Sequence, residues 1–463
     1  MPEVPPSLRR TLTVRSVVLF GLAYMTPLIA LGTFGVVAEE THGAVPTAYL
    51  LALVAMLFTA FSYGKMAATY PVAGSAYTYA RRALDSRVGF LVGWAVLLDY
   101  FFLPMVIWLL GGTYLQAQFP SVPFWCWIVA FITLTSCLNV LGIKVADKAN
   151  FLLMAFQFLV IAIFVVLCLR HVSTIHGAAG VVSTAPFANP ATTAAGISAG
   201  AALAAYSFLG FDAVTTLTEE SVNPRKTIPR AILLITLIGG GVFVLVTYSA
   251  QLVHPGSTFA DPDSAVFEIA TAMAGDLAAA VLLAGLVIAQ FASGLAAQAS
   301  AARLLFAMGR DTVLPRRIFG FLHRRFRTPA LNIALTGAVG LVALSLDVST
   351  STSFINFGAF TAFTAVNLSV IAMFIRQRNT GGRPAWWSHV LIPAAGTLID
   401  LWLLINLDPA ALTLGAIWLA AGIAYLAYRT SLFRKPPPEL STTDDNEQTR
   451  TGTHHEEPKP ANG

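Results

Sequence analysis

The sequence predicts an all-α membrane protein with twelve transmembrane helices. Three observations predict it. Of the 463 residues, 56% are hydrophobic and only 11% are charged, and mean hydropathy is +0.71. Water-soluble domains carry about 25% charged residues. Apolar runs of the roughly 20 residues needed to cross a bilayer recur along nearly the whole chain. Of the 28 Lys and Arg, all but Arg170 fall at alternate ends of these runs, as the enrichment of basic residues in cytoplasmic loops requires.

The spans cover 16–39, 46–69, 88–117, 123–143, 149–170, 196–218, 231–253, 277–306, 330–346, 352–375, 389–407 and 411–430. The first is too long for a signal-peptide core and is flanked by Arg9, Arg10 and Arg15. Residues 1–15 read as a short cytoplasmic segment. With the N-terminus inside, the even-numbered connections are cytoplasmic. They collect Arg81, Arg82 and Arg87, then Lys144 and Lys148, then Arg225, Lys226 and Arg230. Arg303 through Arg327 and then Arg376, Arg378 and Arg383 follow. Both termini then face the cytoplasm, and a multi-pass protein of a bacterial inner membrane is expected. Residues 431–463 are Pro-rich and polar, the composition of a disordered tail. Glu39, Glu40, Asp261, Asp263, Glu268, Asp276, Asp347 and Asp408 map to the outer side.

Ionisable residues inside a membrane are costly and mark function by default. Three carboxylates fall within spans: Asp99, Asp212 and Asp400. Asp99 lies about ten residues into the third span, about 15 Å deep at the helical rise. That is near the midplane, where transport sites lie. Trp94 and Tyr100 are close by in sequence, and aromatic faces suit a desolvated ammonium. Asp212 follows Gly210 and Phe211 in SFLGFDAVTTLTEE (207–220), where a Gly between aromatics is a point of unwinding. Asp400, in the eleventh span, is expected in an interhelical contact or a dimer surface.

The first span carries its own breaker, Pro27 after Tyr24, Met25 and Thr26. Proline removes a donor and kinks the helix. Interruptions in spans one and six, five apart, are the mark of two inverted five-helix repeats with discontinuous first members. The expected domains are a ten-helix core over 16–375, with repeats at about 16–170 and 196–375, and two further helices over 389–430. Glu219 and Glu220 end span six. They are expected to pair with Arg225, Lys226 or Arg230 at the inner surface, or to form an inner gate.

Several chemistries are excluded. The histidines lack metal-ligand spacing, and Cys126, Cys137 and Cys168 lie in apolar runs. No phosphate-binding Gly-rich loop appears, which argues against nucleotide-driven transport. No catalytic constellation argues for an enzyme. No cofactor, metal or nucleic acid is expected, and the basic, aromatic 316–329 segment reads as a contact with anionic lipid.

The chain resembles the amino acid–polyamine–organocation superfamily over about residues 12–430. The resemblance is carried by GLAYMTPLIALGTFG (21–35), YPVAGSAYTYARRAL (70–84), VGFLVGWAVLLDYFFLPM (88–105), SFLGFDAVTTLTEE and RLLFAMGRDTVLP (303–315). The combination of GLAYMTP, LLDYFFLPM and FLGFDAVTTLTEE points to the branch of bacterial putrescine importers. The resemblance implies alternating access, with substrate held at the breaks by Tyr24, Thr26, Phe208, Gly210 and Phe211 and by Asp99 of span three. Asp212 would hold a second ammonium or carry a coupling proton. Where some proton-coupled relatives hold a lysine in span five, this chain has Gln157, which leaves the coupling ion open. The expected activity is import of a small organic cation, putrescine first, probed against two alternatives: an amino-acid permease of the same fold and a transport-inactive nutrient sensor.

Overall fold

The computed structural model describes residues 12–72, 75–141, 146–310, 314–323, 326, 328–432 and 434, with side chains described except at 146–151, 219, 220, 307 and 310. The Glu219 and Glu220 side chains therefore lie outside the described residues, as do residues 1–11 and the tail from 435. Among the described residues the regular structure is helical, apart from one isolated bridge between Leu12 and Ser221.

In chain order the helices are α1 (Val14–Met25), α2 (Ile29–Gly32), α3 (Phe34–Thr41), α4 (Val45–Thr69), α5 (Ser75–Ala83) and α6 (Ser86–Gln118). Next come α7 (Phe124–Leu141), α8 (Ala146–Gly180), α9 (Ala194–Ala204), α10 (Pro224–Val253) and α11 (Ala265–Arg310). The chain ends with α12 (Arg316–Phe319), α13 (Ala330–Gly340), α14 (Val348–Asn379), α15 (Ile392–Ile405) and α16 (Pro409–Arg429). Eleven helices among the described residues are long and apolar enough to cross a membrane. The remaining predicted span, the ninth, is the shorter apolar helix Ala330–Leu344. Its last turn, Leu341–Leu344, winds as a 3-10 helix, which rises about 2 Å per residue against 1.5 Å and lengthens the element.

Two helices stand where the sequence suggested loops. The segment Ala265–Met273 is helical ahead of a kink at Ala274 and Gly275. The other is α5, an amphipathic helix lying along α6. A Cβ at Gly93 would come within 2.8 Å of the Tyr77 ring, and one at Gly89 within 2.6 Å of Arg81 Cβ. Bare glycine surfaces on α6 thus let the two helices touch.

Both predicted breaks are present. α1 ends at Thr26 in a left-handed conformation (φ 56°, ψ 85°), an unusual setting for threonine. Pro27, lacking an N–H, keeps the helix from resuming until Ile29. In span six, α9 tightens into a 3-10 turn over Ala205–Phe208 and stops. Gly210 then takes φ +113°, open only to glycine at low cost. The chain resumes as a second 3-10 stretch, Ala213–Glu220. The threonines explain that winding. Thr215 and Thr216 hydroxyls donate to the carbonyls three residues back, at 2.7 and 2.6 Å, and Thr218 does the same. Such side-chain bonds compete with the α-helical ladder.

The core sits around these breaks. Leu28, Phe34, Phe208, Phe211, Val214 and Phe243 are fully buried there. The Tyr49 hydroxyl of α4 joins the two broken spans through hydrogen bonds with Thr33 (3.0 Å) and Ser207 (2.9 Å).

Candidate functional site

The two breaks meet. A Cβ on Gly210 would lie 2.3 Å from Cδ1 of Tyr24, so the bare glycine backbone packs on the tyrosine ring. A small cavity of about 20 Å³ lies beside this contact, room for about one water molecule. Tyr24, Met25, Thr26 and Ile29 line it from the first break, and Tyr206 and Leu209 from the second. Leu103 and Ile107 of α6 and Gln290 and Ser293 of α11 complete the wall.

The broken backbone is held by its neighbours. The Ser293 hydroxyl donates to the Tyr24 carbonyl at 3.2 Å, supplying a partner to a carbonyl near the end of α1. The Thr26 hydroxyl folds back to the Ala23 carbonyl at 3.3 Å. The Gln290 side chain is 1% exposed, and its amide closes no hydrogen bond, although the Tyr114 hydroxyl lies beside it. A buried, unsatisfied amide costs about 1–3 kcal/mol, so it marks a place where a ligand's polar groups would be met. Sequence reading missed Gln290, Ser293 and Tyr206. A Gln and a Ser three residues apart in an apolar helix was the available signal, because i and i+3 share a face.

Asp99 is buried on α6, one turn before the cavity-lining Leu103 and on the same face. Gly358 of α14 packs against this turn. A Cβ there would lie 2.7 Å from the Ala95 carbonyl oxygen and 3.4 Å from the Asp99 nitrogen. Asp212 is buried at the second break, immediately before the 3-10 stretch. The two carboxyls lie within electrostatic reach of each other, and Tyr24, Tyr63 and Tyr100 sense both. Two different spans thus supply acids near each other, and neither carboxylate is among the residues lining the cavity. The Tyr100 hydroxyl is aimed at Asp212 but closes no hydrogen bond. Backbone N–H groups at Gly210, Asp212 and Ala213 also act on the Asp212 carboxylate, and among the described residues neither acid has a cationic partner.

Asp400 contrasts with them. It is fully buried on α15 and accepts hydrogen bonds from Thr59 (2.8 Å) and from the Asn367 amide (2.9 Å). That is the interhelical contact expected of it.

The remaining predicted residues separate. Phe211 packs with Tyr63 (ring centroids 5.8 Å apart) and Phe363 (5.2 Å), an aromatic cluster that also includes Tyr79. Phe208 turns to Phe243 at 5.1 Å and does not line the cavity. Gln157 is buried on α8, outside the cavity lining. Trp94 departs from expectation. It stacks on Trp418 of α16 at 5.0 Å, and each indole N–H donates to the other's carbonyl at 2.9 Å. Five residues from Asp99 is about 140° around the helix, so Trp94 faces α16 and fastens it to α6.

A membrane-spanning bundle whose two broken helices meet beside buried acids has the architecture of a secondary transporter. Comparison with known proteins agrees. The amino acid permease family profile matches residues 16–380, and the chain belongs to that family. It is 43% identical over 434 residues to the low-affinity putrescine importer PlaP of Escherichia coli K12, covering 93% of this chain and 96% of that protein. It is 26% identical to the branched-chain amino acid permease BcaP of Bacillus subtilis, covering 91% and 93%. Among solved structures, a Na+-coupled sialic acid symporter in a substrate-bound outward-open state aligns with TM-score 0.54 and 11% identity, over 87% of this chain and 90% of that one. That likeness concerns the fold.

Proposed function

We propose that this protein imports a small organic dication, putrescine or a related polyamine, across the bacterial plasma membrane by alternating access. The observation that carries the reading is the pair of buried acids, Asp99 and Asp212, on two spans and without cationic partners among the described residues. A diamine brings two positive charges and no carboxylate, which suits two acids in one region. Each acid–ammonium contact is worth about 4 kcal/mol at 4 Å and an effective dielectric constant near 20. The similarity to a putrescine importer supports the same substrate class.

In this reading Asp99 binds one ammonium. Asp212 binds the other or carries a coupling proton. Tyr24, Phe208 and Phe211 form the occluding walls, with Thr26 and Gly210 at the breaks. Coupling runs through protons, with Gln157 near the exchange route. Glu219 and Glu220 serve an inner gate, and both termini are cytoplasmic. An amino-acid substrate is the second reading, supported by the family and by the branched-chain permease among the relatives.

Uptake of labelled putrescine into proteoliposomes, with pH and sodium varied separately and unlabelled amino acids as competitors, tests the proposal. Asp99→Asn is expected to abolish putrescine uptake while membrane insertion is preserved. Normal uptake by that variant would overturn the assignment.

A further inference from the structure

The acid outside the transport region has an arrangement of its own. Asp400 on α15 meets Thr59 of α4 and Asn367 of α14, and all three side chains are completely buried. The Thr59 hydroxyl donates to Asp400 Oδ2 at 2.8 Å. The Asn367 amide nitrogen donates to the same oxygen at 2.9 Å and to Thr59 Oγ1 at 3.2 Å. Two atoms are left over, Asp400 Oδ1 and Asn367 Oδ1. Both are buried, both accept, and neither has a donor. No charged side chain among the described residues acts on Asp400. Gly396, one turn earlier on α15, leaves room for the Asn367 amide. A Cβ there would lie 2.8 Å from Asn367 Nδ2 and 3.0 Å from its Oδ1.

In a carboxyl–amide pair already joined by one N–H···O bond, the two leftover oxygens are the ones a carboxylic O–H bridges. We propose that Asp400, with Asn367, is a binding site for a single retained proton. The neutral acid donates from Oδ1 to Asn367 Oδ1 and accepts from Asn367 Nδ2 at Oδ2, closing a ring of two hydrogen bonds. One proton then satisfies both orphaned acceptors. It also removes the need for a cation beside a buried carboxylate, which would otherwise be very costly. A metal cation fits less well, because Asn367 already turns its N–H groups toward Asp400 and Thr59. The site joins α15 to α4 and α14, and its proton stays in place through the transport cycle.

Asp400→Asn tests this, since an amide N–H can take the place of the acid O–H. Putrescine uptake, its pH profile and the melting temperature are expected to match those of the unaltered protein. Asp400→Leu, which removes both hydrogen bonds, is expected to lower the melting temperature. Loss of uptake or a shifted pH profile in Asp400→Asn with normal folding would overturn the proposal in favour of a cycling proton. An independent readout needs no transport assay. The infrared spectrum at neutral pH should contain a carboxylic-acid carbonyl band that Asp400→Asn abolishes. Thr59→Val, which keeps the acid but removes a bond to its carbonyl oxygen, should move that band to higher frequency. A spectrum in which neither variant changes the carboxylic-acid region would refute the retained proton.

Discussion

Replacing Gly210 with alanine adds one methyl group where the two broken spans touch, and its cost has two sources. The first is conformational. The φ of +113° lies well beyond the left-handed well near +57°, and such backbone strain costs of order 1–3 kcal/mol in a residue with a Cβ. The second is steric. The new carbon would stand 2.3 Å from Tyr24 Cδ1, with Cγ and Cε1 at 3.1 and 3.2 Å. The ring must move, and forced overpacking costs about 1–3 kcal/mol. Even if ring movement relieves much of the clash, about 2 kcal/mol remains, equivalent to about a thirtyfold change in an equilibrium constant. The cost falls on the conformation in which the breaks meet, so Gly210→Ala should lower the melting temperature and reduce putrescine uptake by at least tenfold at equal membrane insertion. Gly241→Ala is the control. That glycine lies within α10 with nothing inside 4 Å of a new Cβ, and alanine there should stabilise by about 0.5–1 kcal/mol. If Gly210→Ala melts and transports as well as Gly241→Ala, the proposed meeting of the two breaks is wrong.

Other substitutions probe separate parts of the region. Ser293→Ala removes the donor to the Tyr24 carbonyl and should cost about 0.5–1.5 kcal/mol, seen as a lower melting temperature and uptake reduced a few-fold; no change in either would deny that bond a role. Gln290→Leu should act in opposite directions, raising the melting temperature by removing an unsatisfied buried amide while weakening substrate affinity, a trade expected where function keeps a costly group. An unchanged KM for uptake would remove Gln290 from the site. Trp418 is only partly buried, so Trp418→Ala should cost about 1–3 kcal/mol, below the range for a core tryptophan, and leave substrate affinity unchanged, since the Trp94–Trp418 pair faces away from the cavity; a changed KM would contradict that orientation.

The sequence by itself determined much of this protein. Composition and long apolar runs specify a membrane-spanning helical chain, because a bilayer admits few other solutions for the backbone. Pro27 and Gly210 announced the breaks, because the former lacks an N–H and the latter lacks a Cβ, which are local properties. Asp99, Asp212 and Asp400 were legible as anomalies, because charge in an apolar run is conspicuous wherever it points.

Direction was what the sequence could not supply. The eleventh span set Asp400 apart in a linear reading, but only packing names Thr59 and Asn367 as the groups that hold it. Trp94 looked like a neighbour of Asp99 and proved to face α16, because five residues is not a whole number of turns. Phe208 and Phe211 lie either side of Leu209 and Gly210 yet enter different aromatic clusters, since those two residues leave the helical conformation between them. Gln290 and Ser293 reach the breaks from a span more than 250 residues beyond Tyr24. Which buried groups share a space depends on how helices distant in sequence face one another, and only the tertiary structure decides that.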